Sequence, residues 1–141
     1  MRPRVPRHTL AAVALVVREY DEAIAFFTEA LGFALVEDTP MGDGKRWVVV
    51  APGGADDPGS RLLLARATSA AQREAIGRHA GGRVGFFLHT DDFEASLRRL
   101  TAHGVRLAEA PRDEPYGRVV VFLDLYGNRW DLIEPRPARA S

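Results

Sequence analysis

The chain has 141 residues, of which 46% are apolar and 27% charged, a composition typical of one folded domain or of two half-domains sharing a core. Its 19 basic and 19 acidic residues balance, so no strong field attracts nucleic acid or an acidic membrane surface, and neither partner is expected. Cysteine is absent, which excludes disulfides, thiolate metal sites and a cysteine nucleophile.

The first seven residues form a short basic, proline-rich segment, which we expect to be a flexible tail. The apolar run LAAVALVV that follows is far shorter than the ~20 apolar residues of a membrane span. Charged residues follow it at once, and no small-residue cleavage site is present, so it does not match a secretory signal. The expected location is therefore the cytoplasm.

Strand and helix patterns alternate through the first half of the chain. Residues 10–17 are apolar and partly β-branched, which predicts a buried strand. Apolar residues at helical spacing then predict an amphipathic helix over 20–31, which ends at Gly32. Three more strands are predicted at 33–37, 47–50 and 61–67, with a turn at 41–44 and a glycine-rich loop before the last strand.

The second half repeats this order after a connector. Thr68 or Ser69 is a suitable N-cap for a short helix that ends near residue 79. A strand is then predicted at 84–89 and a helix at 92–103, with Phe93, Leu97 and Leu100 on one face. Strands at 105–109, 118–124 and 129–134 complete the half, with PRDEPYG (residues 111–117) as a loop.

The two halves also match in local sequence. GFALVE corresponds to GVRLAE, RWVVVA to RVVVFL, and GSRLLLAR to GNRWDLIE. One such unit cannot bury both faces of its sheet alone, so two units must pair. The pattern predicts two βαβββ modules, residues 8–67 and 84–135, joined by a connector at 68–83, with flexible tails at 1–7 and 136–141.

The motifs YDEAIAFFTEALGF and DLYGNRWDLIEP, placed within this repeat, resemble those of the vicinal oxygen chelate superfamily, which includes glyoxalases, bleomycin-resistance proteins and extradiol dioxygenases. The resemblance covers roughly residues 8–135. It implies an α+β fold, the glyoxalase/bleomycin-resistance/dioxygenase fold, in which two βαβββ modules with curved mixed sheets enclose a cavity. It also implies a homodimer.

Members of this superfamily usually hold a divalent metal through side chains on the first and fourth strand of each module. The resemblance carries these four positions onto Ala12, Leu63, Gly85 and Asp131. Only the aspartate offers a ligand, whereas a transition metal needs about three or four protein ligands. We therefore predict no metal and no other cofactor, and the departure disfavours glyoxalase and extradiol-dioxygenase chemistry.

Two titratable residues are expected to face the cavity, each with two interpretations. Strand alternation places His89 on one face with Phe87; the histidine either hydrogen-bonds near the strand end or acts as a ligand, acid or base. Asp131 shares a face with Arg129. It is either paired with Arg61 or Arg129, or it accepts a hydrogen bond from a ligand or acts as a base.

Aromatic residues complete the candidate site. Most are core residues by type, but Trp47 and Tyr116 lie at the edges of loops, where they can line a cavity mouth and stack on a flat ligand. The catalytic residues, if any, are not identified. The predicted ligand-binding residues are Asp131, His89, Phe87, Trp47, Tyr116, Arg61 and Arg129.

Three functions remain open on these residues. The first is a metal-independent protein that binds a small molecule of unknown identity, similar to the superfamily's resistance or sequestration proteins. The second is a lyase, isomerase or dioxygenase with an altered metal site around Asp131 and His89. The third is an interaction or regulatory module whose cavity is vestigial.

Overall fold

The computed structural model describes residues 2–137. The first module contains β1 (Ala12–Val17), α1 (Tyr20–Ala25), β2 (Ala34–Gly42), β3 (Lys45–Ala51) and β4 (Arg61–Arg66). The connector contains α2 (Ala70–Ala75). The second module contains β5 (Val84–His89), α3 (Phe93–Ala102), β6 (Arg112–Glu114), β7 (Gly117–Leu123) and β8 (Arg129–Pro135).

Each module forms its own four-stranded sheet, and the two sheets have the same topology. The strand orders are β1-β4-β3-β2 and β5-β8-β7-β6, and in each the first and last strands of the module pair in parallel. The remaining pairs are antiparallel. The predicted architecture of two βαβββ modules with mixed sheets is confirmed.

The helix predicted over 20–31 differs from the observed one in its second half. Helix α1 ends at Ala25, and residues Phe26–Ala30 continue as a π-helical turn. There the Thr28 hydroxyl donates to the Ile24 carbonyl oxygen at 2.7 Å, an acceptor that a regular helix would use for a backbone N–H. Phe27 in this turn is fully buried, in agreement with its place among the apolar residues at helical spacing.

The prediction for residues 105–117 was wrong in its placement of the strand. Residues 105–109 contribute only an isolated bridge between Leu107 and Phe122, and strand β6 lies instead in the segment predicted as a loop. The two prolines of this segment suggested a loop, but they lie just outside the strand at Pro111 and Pro115. They therefore cost β6 no backbone donor.

The helix-covered sides of both sheets share one hydrophobic core. Phe27 of the first module lies 5.9 Å from Trp130 of β8, ring centroid to centroid, and Trp130 stacks on Phe86 of β5 at 4.2 Å. The opposite, outer face of each sheet therefore points away from this core.

The ends and the connector complete the description. Ser69, rather than Thr68, caps α2, because its hydroxyl oxygen accepts from the Gln72 N–H at 3.1 Å. None of the described helices is both long and apolar enough to cross a membrane. The predicted flexible tails fall partly on residues 1 and 138–141, which lie outside the described residues.

Candidate functional site

The outer face of the second sheet is fixed by the register of β8. Trp130 and Leu132 point into the core, so Asp131 between them points to the outer face. Asp131 lies beside Phe87 of β5 on one side and Val121 of β7 on the other. The strands therefore place an ionisable group in the middle of an otherwise apolar row.

Asp131 is buried, and no other residue among 2–137 forms a hydrogen bond with its side chain. Its residue exposure is 8%, and its Oδ1 atom is buried with no donor within reach. Burial raises the pKa of the Asp131 carboxyl above its usual range; the charge of Arg112 opposes this effect, and that of Glu109 adds to it. A buried acceptor without a donor costs about 1–3 kcal/mol, so the fold alone does not explain this residue.

One of the two interpretations of Asp131, a structural pair with Arg61 or Arg129, does not agree with the structure. The Arg61 Nη2 atom donates instead to the Ala55 carbonyl oxygen at 2.9 Å. Within residues 2–137, Arg129 takes part in no ion pair. The cation whose charge reaches Asp131 is Arg112, from the edge strand β6.

Arg112 is already engaged by two other carboxylates. Its Nε atom donates to Glu109 Oε1 at 3.1 Å, and its Nη1 atom donates to Glu114 Oε1 at 2.6 Å. Glu109 Oε1 also accepts from the backbone N–H of Val121, the residue beside Asp131. Arg112 thus binds two carboxylates on this face, and it acts on Asp131 through its charge without a hydrogen bond.

We did not predict Glu109, Arg112 or Glu114 as site residues from the sequence. They lie in the segment where we predicted a strand followed by a loop, whereas the structure has strand β6 in the predicted loop. The side of the sheet to which their side chains point was therefore not considered. One usable signal was present, because Arg112 and Glu114 are two residues apart and must share a face if their segment is a strand.

Four other predicted residues lie on or beside this face. Phe87 is 65% exposed, and Tyr116, in the turn between β6 and β7, is 51% exposed with its hydroxyl 3.5 Å from Arg112 Nη1. His89 is exposed beside Ile133, on the same face of the sheet as Asp131, and its role in binding stays a prediction. Arg129 is exposed at the start of β8, beside Leu123.

The remaining two predicted residues belong to the first sheet. Trp47 is 41% exposed on the outer face of β3, where it borders a cleft of about 400 Å³ together with Leu63 and Lys45. Arg61 borders a different cleft of about 410 Å³, which Phe87 also lines. A single chain therefore brings Arg61 and Phe87 to one cleft and leaves Trp47 at another.

The four positions that the resemblance assigns to a metal do not fit one. Alanine, leucine and glycine at three of them offer no ligand atom, and the described residues contain no group of three or more His, Cys, Asp or Glu that could hold an ion. Gly85 also forms a bulge in β5, and a Cβ atom built on it would lie 2.9 Å from the Ala80 Cβ. The space that a ligand side chain needs at Gly85 is therefore filled by the connector. That the protein works without a metal stays a prediction.

Comparisons with known proteins extend over nearly the whole chain. The family model described as the Glyoxalase/Bleomycin resistance protein/Dioxygenase superfamily matches residues 9–132. An uncharacterised protein of Shewanella frigidimarina (strain NCIMB 400) is 47% identical over 129 residues, which span 91% of this chain and 94% of that protein.

Two solved structures are similar at 30% sequence identity. UcmS2 superposes with a TM-score of 0.77, covering 92% of this chain and 99% of that chain. TnmS3, an antibiotic binding protein from Streptomyces sp. CB03234, superposes with a TM-score of 0.72, covering 94% of this chain and 100% of that chain. These likenesses concern both modules together rather than one of them.

Proposed function

The chain belongs to the Glyoxalase/Bleomycin resistance protein/Dioxygenase superfamily, and from this membership we propose that it binds a flat small molecule without transforming it. The observation that carries the proposal is the pairing of an exposed aromatic ring, Phe87, with a buried carboxylate that has no partner, Asp131. Such a combination of apolar surface and a few directed polar groups is typical of a ligand site.

The residues present favour binding over chemistry. The metal positions of the superfamily offer one carboxylate, so no Lewis acid is available from this set to polarise a substrate. Similarity to TnmS3, an antibiotic binding protein, supports a ligand of antibiotic size held by sequestration. An expected location in the cytoplasm, where an internalised toxic compound would be captured, agrees with this role.

A second copy of the chain completes the site in this proposal. Each chain exposes an aromatic residue on each outer face, Trp47 on the first sheet and Phe87 on the second. Pairing the first-module face of one protomer with the second-module face of its partner buries both residues around one ligand, and twofold symmetry produces two equal sites. Sedimentation equilibrium that gives only a 15.5 kDa species at micromolar concentration contradicts this homodimer.

Binding and turnover are separated by one experiment. The protein is titrated with a panel of flat aromatic natural products while its intrinsic fluorescence is followed, and each bound compound is then recovered and analysed by mass spectrometry. We expect at least one compound to bind and to be recovered unchanged. Recovery of a converted compound at more than one equivalent per chain contradicts sequestration and favours the alternative of an enzyme with an altered site.

Two variants show whether the outer faces hold the compound. Phe87→Ala and Trp47→Ala are expected to weaken binding, by about 1–3 kcal/mol each if the rings stack on the ligand. Leu125→Ala is the matched control, because Leu125 is also an exposed large apolar residue, at 43%, but lies in the turn between β7 and β8. Equal losses in all three variants contradict the proposed site.

A further inference from the structure

Asp131 has no role in the fold that its surroundings explain. Its Oδ1 atom is buried without a donor, and the equivalent position of the first module holds Leu63, so the same backbone accepts an apolar side chain. Removing a carboxylate from water without a compensating partner is unfavourable. Residues 2–137 provide no donor for this atom, so a bound molecule is expected to supply the missing partner.

Arg112, the described cation whose charge acts on Asp131, is engaged by other carboxylates. Arg112 divides its donors between Glu109 and Glu114, at 3.1 and 2.6 Å, and forms no hydrogen bond to Asp131. With all four groups ionised, the carboxylates of Asp131, Glu109 and Glu114 outnumber the one guanidinium of Arg112, so this cluster has a net negative charge and a negative potential on the outer face. A ligand that brings a positive charge compensates this potential, whereas an anion adds to it.

Arg129 and His89 lie on the same face and oppose the preference for a cationic ligand only weakly. Arg129 and His89 are both exposed, so water and salt screen their charges. Asp131 is buried, so its interaction with a bound group is screened much less. Phe87, directly beside Asp131 in the register, offers an exposed ring face that itself attracts a cation.

We propose that Asp131 is the specificity-determining residue of the site, accepting a hydrogen bond from a protonated nitrogen of a flat cationic ligand that stacks on Phe87. This inference rests on the proposed binding function and adds the chemical class of the ligand, an aromatic amine or amidine. It also assigns the neighbouring cluster of Glu109, Arg112 and Glu114 the role of maintaining the negative potential.

The test uses two fluorescent probes that share a three-ring frame and differ in charge. The cation is 9-aminoacridine and the anion is 9-anthracenecarboxylate, each titrated into the full-length protein at neutral pH. We expect the cation to bind about 10- to 100-fold more tightly than the anion, as expected for a charge-assisted hydrogen bond.

The matched variants are Asp131→Asn and Asp113→Asn. Both remove one carboxylate from the second sheet, but Asp113 alternates with Arg112 on β6 and so points to the opposite face, where it contacts Arg136. Asp131→Asn is expected to abolish the preference for the cation, and Asp113→Asn to preserve it. Asp131→Leu, which copies the first module, provides a second variant if the asparagine protein does not fold.

Each other outcome overturns a defined part of the argument. Equal or tighter binding of the anion by the wild-type protein overturns the ligand class while the proposed binding function stands. A preference for the cation that persists in Asp131→Asn overturns the role of this residue. If neither probe binds, the flat-molecule site itself fails, and this inference fails with it.

Discussion

The two modules carry different residues at matching positions of their last strands, Leu63 in β4 and Asp131 in β8. Leu63 lies between Ala14 and Val49, and Asp131 lies between Phe87 and Val121. The backbone surroundings are alike, yet one module holds an apolar side chain and the other a buried carboxylate without a partner. An apolar side chain at this position satisfies the fold, as Leu63 shows. The carboxylate of Asp131 is what the second module adds.

The largest effect on stability is expected for Trp130, which is next to Asp131 in β8 but points to the helix-covered side of the sheet. Trp130 is 3% exposed and contacts Phe27, Phe33, Phe86 and Phe122, and its Nε1 atom donates to Asp124. Trp130→Ala should therefore lower the free energy of unfolding by about 3–5 kcal/mol in urea denaturation. Trp47→Ala is the control, and its loss should stay below about 1 kcal/mol because that ring is on the surface. Similar losses in the two variants contradict the assignment of core and outer faces.

Exchanging the residues of the matching pair is expected to give the next largest effect. Asp131→Leu should raise the free energy of unfolding by about 1–3 kcal/mol at neutral pH, because it removes a buried acceptor that has no donor. Leu63→Asp should lower the free energy of unfolding, by less, since Leu63 is only half-buried. Both are measured by chemical denaturation. A destabilised Asp131→Leu protein would mean that the carboxylate supports the fold after all.

The pH dependence of stability sharpens the same comparison with a smaller effect. Burial raises the pKa of Asp131 in the folded protein above the ordinary aspartate value of about 3.9, so the folded chain retains this proton to higher pH than the unfolded chain. The free energy of unfolding therefore falls as pH rises from that value through the raised pKa. Asp131→Asn lacks this contribution.

The free energy of unfolding is measured against pH for the wild-type protein and for Asp131→Asn. The difference between the two profiles isolates the contribution of Asp131 from those of the other titrating groups. Asp38 and Glu22 have lowered pKa values, through Arg46 and Tyr126 respectively, and contribute the opposite slope in both proteins. The stability advantage of Asp131→Asn over wild type should grow with pH across the window. An advantage that is constant with pH is the outcome that argues against a perturbed carboxyl.

Added metal is expected to give the smallest effect. No metal-ligand set is formed by the residues at the four matching positions, Ala12, Leu63, Gly85 and Asp131. An excess of Zn²⁺ or Ni²⁺ should therefore move the melting temperature by less than about 1 °C. The measurement is differential scanning fluorimetry of protein treated with a chelator and then dialysed. Stabilisation that saturates at one equivalent per chain would show that the second module binds a metal in spite of its side chains.

Much of the fold was predictable because it depends on local periodicity. The strand at 84–89 was predicted with the observed bounds, and the helix at 92–103 differs from α3 by one residue at each end. The outward facing of Asp131 also followed from alternation alone. Strand β6 and the π-helical turn after α1 did not follow, because the first is defined by pairing with β7 and the second by contacts of Phe27 across the core.

The sequence by itself determined the two-module plan, the unequal pair Leu63 and Asp131, and the family resemblance, since all three depend on residue order and spacing. Only the tertiary structure decided which charges meet. Arg112 rather than Arg61 or Arg129 acts on Asp131, and Ala80 fills the space at Gly85. The reason is physical: periodicity fixes the side of a strand on which a residue lies, but its partners depend on the register between strands and on segments distant in the chain.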